Sequence, residues 1–249
     1  MSNQLSYKRV LLKLSGEQLG RVAIDPETGN EIQVGFDAER ARWIAGEVKK
    51  LIDQQIQIVI TVGGGNFVRG ADVTCDLISP TEGDEAGILA TVLNATLLGN
   101  VFAHSGIPVR ATSKIDIPAF IDRYTYRRTI HDLEQKGRVV IIGGGSGQTG
   151  FTSDMGALNA ATTLGCDLVI KATKVDGVYD SDPVKNPSAM KFASLDYHTA
   201  ITDPAIRVMD KAALGMAAEH NIPIIVLELT KENNILNAAL GKSIGTIVQ

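Results

Sequence analysis

Three runs of aliphatic and β-branched residues end abruptly in glycine: RVLLKLSGE at 9–17, IVITVGGGN at 58–66 and RVVIIGGGSG at 138–147. Parallel strands of an α/β sheet finish at one common edge, where ligands bind. Glycine at that edge lets backbone N–H groups approach an anion that a Cβ would hold off. Lys13 closes the first run beside Ser15 and Gly16, where an ammonium can bridge two phosphate groups as a compact point charge. Gly63, Gly64, Gly65 and Asn66 are followed by Arg69, whose guanidinium suits two-point contact with a phosphate. Asp154 opens a helical pattern beside the third glycine loop, placed to cap that helix, to orient a lysine, or both. Phosphoryl transfer asks mainly for positioning and neutralised charge rather than a covalent protein intermediate. Lysines, an arginine, backbone N–H groups and one carboxylate are sufficient, so the residues imply an enzyme that moves phosphate.

Strand and helix patterns alternate along the chain, which implies a three-layer α/β/α sandwich around a mostly parallel central sheet. Residues 20–35 form a turn-rich loop or hairpin. Residues 37–54 have helical spacing, with Trp43, Ile44, Val48, Leu51 and Ile52 on one face and Asp37 as N-cap. A strand follows at 57–62, then an irregular stretch to Gly83. Residues 84–104 are apolar nearly all round, the mark of a helix buried on more than one side, and a subunit interface is the favoured setting. Strands are expected at 107–112 and 138–142, with an extended segment near 115–117 and a basic helix around 123–136 between them. A helix over 152–165 would be capped by Thr152, Ser153 and Asp154. Beyond it come strand 167–172, the turn-rich TKVDGVYDSDP, helix 210–220, strand 222–229, a short helix near 231–240 and a final strand at 245–248. No repeat or linker divides residues 1–249, which form one domain of two lobes on this reading.

With 44% hydrophobic and 21% charged residues the composition is that of an ordinary globular protein with a sizeable core. A net charge of −4 offers nothing global to nucleic acid or an anionic membrane. Apolar runs are broken before the ~20 residues of a membrane span, and residues 1–9 have no signal-peptide core. Cys75 and Cys166 are isolated and fit two reduced thiols. His104, His131, His198 and His220 are scattered, so neither a metal site nor a catalytic histidine is expected.

Two tempting motifs fail. GKS at 241–243 resembles the tail of a phosphate loop, but Leu236 stands where its first glycine belongs. Gly145, Gly147 and Gly150 have dinucleotide-loop spacing. The acid that should close the next strand and hold a ribose is missing, because Asp167 opens that strand instead.

The segments KRVLLKLSGE, VGGGNFVRG, GD-x-x-G-x-LAT-x-x-N at 83–94 and KATKVDGVYDSDP at 171–183, with the ending IPIIVLEL…GKSIGTIV, resemble the bacterial UMP kinases (uridylate kinases) of the amino acid kinase superfamily. The resemblance runs from about Lys8 to Val248. It implies reversible transfer of phosphate from ATP to UMP, giving UDP and ADP in pyrimidine nucleotide biosynthesis. It also implies Mg²⁺ carried by the nucleotide, a cytoplasmic setting and a homohexamer built as a trimer of dimers. The N-terminal half would be mainly the UMP lobe, and the part from about residue 170 mainly the ATP lobe. On this resemblance Lys13, Leu14, Ser15 and Gly16 meet the ATP phosphates, faced by Gly65 and Arg69. Thr173, Tyr179 and Asp182 hold the adenosine, Tyr179 by packing on the base. Gly64, Asp84 and the loop Ser146, Gly147, Gln148, Thr149, Gly150, Phe151, Thr152 and Ser153 hold UMP, with Asp84 near its ribose. Lys13, Arg69, Asp154 and Lys171 form the catalytic set, Asp154 organising the catalytic lysine.

The third loop departs from the family pattern. Members usually read GTGNPFFTTD followed by AAALRA; here the chain reads GSGQTGFTSD and MGALNA. Gln148 replaces an asparagine, Thr149 and Gly150 replace Pro-Phe, and Ser153 replaces a threonine but keeps the hydroxyl. Exchanging a proline for freer residues loosens the loop, and a rebuilt wall leaves room for CMP or another small acceptor. The segment between the first strand and first helix also differs from the short one that members use for GTP activation. A catalytically silent nucleotide-binding regulator is the remaining alternative. The joint presence of Lys13, Arg69, Asp154 and Lys171 speaks against it.

Overall fold

The computed structural model describes residues 7–26, 28–183 and 185–249. In chain order its elements are β1 (Arg9–Leu14), a 3-10 turn (Gly16–Leu19), the hairpin β2 (Arg21–Ile24) and β3 (Glu31–Val34), α1 (Ala38–Asp53), β4 (Gln57–Val62), α2 (Gly70–Val73), α3 (Pro80–His104), β5 (Val109–Ser113), β6 (Asp122–Arg123), α4 (Tyr126–Glu134), β7 (Val139–Gly143), α5 (Ser153–Leu164), β8 (Leu168–Thr173), β9 (Ser194–Leu195), α6 (Tyr197–Thr202), α7 (Lys211–His220), β10 (Ile224–Glu228), α8 (Asn234–Ala239) and β11 (Thr246–Val248). Nine strands form one sheet in the order β6-β5-β7-β4-β1-β8-β10-β11-β9. Its pairings are parallel except β10 with β11.

The apolar runs are continuous because both faces of the sheet are covered. Val10, Leu12 and Leu14 of β1, with Ile58 and Ile60 of β4 and Ile170 of β8, pack against Ile44 and Val48 of α1, Phe102 of α3 and Ile235 of α8. The alternate residues Leu11, Val59, Val140 and Val169 pack on Leu158 and Ala161 of α5 and Leu214 of α7. Three layers result, as the alternation of strand and helix patterns implies.

The same alternation sets the chemistry. Lys13 is in phase with Leu11, so it faces α5, and the register pairs it with Lys171 of β8. The C-terminal ends of β1, β4, β7 and β8 then lie together at one edge, where the three glycine loops leave the sheet.

Most expected boundaries agree with the structure to within two or three residues, and Asp37 caps α1 by accepting from the N–H groups of Glu39 and Arg40. Helix α3 is the main correction. It begins at Pro80, inside the stretch expected to be irregular, with Ser79 and Glu82 closing a reciprocal capping box. By length and composition α3 suffices to cross a bilayer, contrary to the expectation from broken apolar runs. In the structure it lies along the sheet, with Ala90, Ala95, Leu98 and Phe102 buried and Leu89 and Leu93 exposed. The segment 115–117 is irregular and joins no strand: it follows a bend at 114–115, where the Ser113 hydroxyl bonds to both the N–H and the C=O of Ile115, and leads into a turn at 118–120. The short elements β6, β9 and α6 escaped sequence reading because two to six residues carry no usable period.

Candidate active site

Strand register brings Lys13 and Lys171 side by side, and the first turn of α5 places Asp154 between their ammonium groups. One carboxylate oxygen lies 2.7 Å from Lys13 Nζ and the other 2.8 Å from Lys171 Nζ. Lys171 also donates to the Val208 carbonyl at 2.6 Å. Burial alone would raise the Asp154 carboxyl; the two lysines outweigh it and hold it below the ordinary carboxylate range. Burial, helped by the neighbouring Lys13 charge, lowers Lys171 against the pull of Asp154. Asp154 thus stays ionised, with both oxygens committed to lysines. It positions charge and is not free to act as a base.

The first two glycine loops touch backbone to backbone. A Cβ on Gly16 would sit 2.5 Å from both the Gly65 nitrogen and Asn66 Oδ1, and one on Gly63 would sit 2.8 Å from the Gly16 nitrogen. No side chain fits there. Leu14 turns its own side chain into the core, leaving only its backbone toward the edge.

Two helix residues outside the expected site hold these loops. Asn94 and Asn66 exchange amide hydrogen bonds at 2.7 and 3.0 Å, and Asn94 also donates to the Gly63 carbonyl at 2.7 Å. Thr91 accepts from the Gly144 N–H at 2.8 Å, fixing the start of the third loop. Their signal was present as two buried polar residues in the apolar middle of the helix, within LAT-x-x-N.

A cavity of about 210 Å³ opens beside these loops, lined by Gly64, Gly65, Arg69, Asp84, Phe151, Thr152 and Ser153 among others. Arg69 pairs with Glu17 of the 3-10 turn, so its guanidinium is held at the mouth. Asp84 accepts from the Gly150 N–H at 2.8 Å, which ties the third loop to α3. Thr152 caps α5 and bonds to Asp210, the N-cap of α7. Ser146, Gly147, Gln148, Thr149 and Gly150 stay outside the cavity wall and form a turn of their own, with Ser146 Oγ bonded to both the N–H and the C=O of Gln148.

A second cavity of about 490 Å³ lies in the C-terminal half, lined by Val175, Tyr179, Asp182, Pro204 and Arg207 among others. The Tyr179 hydroxyl donates to Asp176 at 2.6 Å, which steadies its ring at the wall. Thr173 stands outside that wall. Its hydroxyl bonds within the turn that leads there, to the carbonyl and N–H of Val175. A third recess, lined by Asp154, Lys171, Pro204 and Arg207 among others, shares Pro204 and Arg207 with this cavity and so adjoins it on the side of Lys171.

The rejected motifs have structural roles. Asp167 accepts from the N–H groups of Lys8 and Arg9 at 2.8 and 2.9 Å, at the opposite edge of the sheet. Lys242 donates to Asn237 at 2.9 Å. Cys166 is buried, and burial pushes its thiol up to about 12. Among the described residues no group of three or more His, Cys, Asp or Glu could hold a metal ion. With Asp154 taken by two lysines, the donor set suits a metal that arrives already chelated by phosphates.

Comparison with known proteins bears on the same geometry. The model of the amino acid kinase family matches residues 8–228. The uridylate kinase of Helicobacter hepaticus is 42% identical over 94% of each chain. That of Wolinella succinogenes is 40% identical over 96% of this chain and 95% of its own. The crystal structure of the UMP kinase from Bacillus anthracis superposes with a TM-score of 0.88 at 34% identity, over 98% of this chain and 96% of that one. The chain belongs to the amino acid kinase family and, within it, to the uridylate kinases.

Proposed function

We propose that this protein transfers the γ-phosphoryl group of ATP to UMP, giving UDP and ADP. The observation that carries the reading is the Lys13–Asp154–Lys171 set: Asp154 and Lys171 line the recess beside the larger cavity, and Ser153, the residue before Asp154, lines the smaller one. UMP enters the smaller cavity. The N–H groups of Gly64 and Gly65, the start of α5 with Ser153, and Arg69 released from Glu17 receive its phosphate. Asp84 holds both the ribose and the closing loop. ATP lies across the larger cavity with its base against Tyr179, near Asp182, and its phosphates run toward the lysines and the Ser15–Gly16 turn. The acceptor oxygen belongs to a phosphate already ionised at neutral pH, so the step needs alignment and charge neutralisation rather than a general base. Mg²⁺ bound to ATP supplies further neutralisation when present.

The altered third loop does not argue for another acceptor. Gln148, Thr149 and Gly150 lie outside the cavity wall, and Ser153, the replaced residue within it, keeps its hydroxyl.

The acceptor half and the ATP half, from about residue 170, share one continuous sheet, which supports a single domain of two lobes. Exposed Leu89 and Leu93 on α3 support a buried subunit contact and hence the hexamer. The pathway and two free thiols are consistent with the cytoplasm; nucleic acid and membrane have no part in the reaction. The test is ADP release from Mg-ATP with UMP, CMP, dUMP or no acceptor. Strong preference for UMP is expected, and equal turnover with CMP would defeat the reading.

A further inference from the structure

Arg207 is the charged residue that lines both the adenosine cavity and the recess holding Asp154 and Lys171. It is exposed, and among the described residues its guanidinium has no ion-pair partner. The acids around the two recesses are each engaged elsewhere. Asp154 holds two lysines, and Asp210 takes the Thr152 hydroxyl and the Ala213 N–H. Asp203 accepts from the Ala205 N–H at 2.9 Å. Asp180 accepts from the Met190 N–H at 2.9 Å and the Ser181 hydroxyl at 3.1 Å. Asp182 faces Lys185 at 4.0 Å. A guanidinium held at the junction of two recesses, with its acidic neighbours occupied, awaits an anion from solution.

That junction lies between the place for a base and the buried lysines, so a chain of phosphates joining them must cross it. Lys185 lines only the first recess, and Lys211 only the second. We propose that Arg207 is a donor-side phosphate clamp, contacting the polyphosphate of the bound nucleoside triphosphate. The inference rests on the kinase reading for the direction of the nucleotide but not for the identity of the acceptor. The planar fork suits two phosphate oxygens at once, and an exposed arginine can follow the polyphosphate as it settles.

The test compares ATP, adenosine and inorganic tripolyphosphate binding by calorimetry in wild type, Arg207→Ala and Arg207→Lys, with KM values for ATP and UMP alongside. In Arg207→Ala, ATP and tripolyphosphate should weaken about 10- to 100-fold, the loss expected for a charge-assisted contact. Adenosine affinity and KM for UMP should hold, and Arg207→Lys should recover part of the loss. Unchanged ATP affinity would overturn the proposal, as would equal weakening of ATP and adenosine, since that would make Arg207 a wall of the base cavity. If wild type fails to phosphorylate UMP, the acceptor reading falls, while the contrast of ATP with adenosine still decides the role of Arg207.

Discussion

Asp154 of the lysine–aspartate set directly follows the acceptor loop at 144–153 in sequence, yet the two regions are built in opposite ways. Lys13 and Lys171 sit on central strands, locked by register, Lys13 buried and Lys171 half-buried, with Asp154 engaged by both. The loop is exposed at Gln148 and from Gly150 to Thr152 and half-buried over most of the rest. It turns through Gly144, Gly145, Gly147 and Gly150 at positive φ and is tied down by single hydrogen bonds to Thr91, Asp84 and Asp210. Charge that must neutralise a transferring group gains from a rigid, dry setting, because preorganised charge needs no reorganisation during the step. A loop that must admit and release an acceptor gains from weak ties. Damage to the first region should therefore appear in chemistry and stability, and damage to the second in acceptor affinity.

The largest effect should come from Lys13→Ala. Turnover at saturation should fall about 10²- to 10³-fold, the cost of one preorganised donor, in a protein that remains folded. Unchanged turnover would remove Lys13 from the mechanism. Asp154→Asn leaves two buried ammonium groups facing one another and should cost about 3–5 kcal/mol of stability, read from denaturant melts. The pH dependence follows from the carboxyl being held below its ordinary range. Its contribution is present above the unfolded carboxylate pKa and is lost as pH falls through the lowered folded value. Wild type and variant should converge in strong acid, and a gap that widens there would contradict the assignment.

On the loop side the effects should be smaller and differently distributed. Asp84→Ala removes the acceptor for the Gly150 N–H and should raise KM for UMP about tenfold with ATP little affected; equal losses for both nucleotides would place it wrongly. Gly150 has φ of +79° and open space around its Cβ position, so Gly150→Ala should cost about 1–2 kcal/mol of backbone strain, appearing in KM for UMP more than in Tm. Lys114 packs under the loop, with its N–H 2.9 Å from a Cβ placed on Gly144, and its ammonium bonds to Asn159 at 2.9 Å. Burial lowers it from 10.5 to about 8. Between these values the folded protein carries fewer protons than the unfolded chain, so wild type should gain stability relative to Lys114→Met as pH rises through that window. A falling difference would show that burial does not dominate there.

The contrast also explains what could be read from sequence. Strand ends with a lysine and glycine, and a capped helix opening on Asp154, are local patterns, and parallel pairing turns them into a site without further information. That Asp154 would reach both lysines needed the register of β1 with β8, which residue types do not reveal. The loop was legible in composition but not in shape. Nothing in GSGQTGFTSD says that residues 146–150 fold away from the cavity while 151–153 line it, because that depends on a tie to Asp84, 66 residues distant. Asn94 was visible as part of a motif, but its role depends on Asn66 arriving across the sheet edge. Arg207 carried no local signal at all; its meaning comes from two recesses meeting.

The division between the regions is tested most directly by single-turnover transfer of labelled γ-phosphate from ATP to UMP in wild type, Asp154→Asn and Gly150→Ala, with UMP varied to saturation. The account predicts that Asp154→Asn loses the maximal transfer rate at every UMP concentration. Gly150→Ala should regain the wild-type rate once UMP is saturating. If Gly150→Ala keeps a depressed rate at saturation equal to that of Asp154→Asn, the loop takes part in the chemical step itself and the separation of roles is wrong.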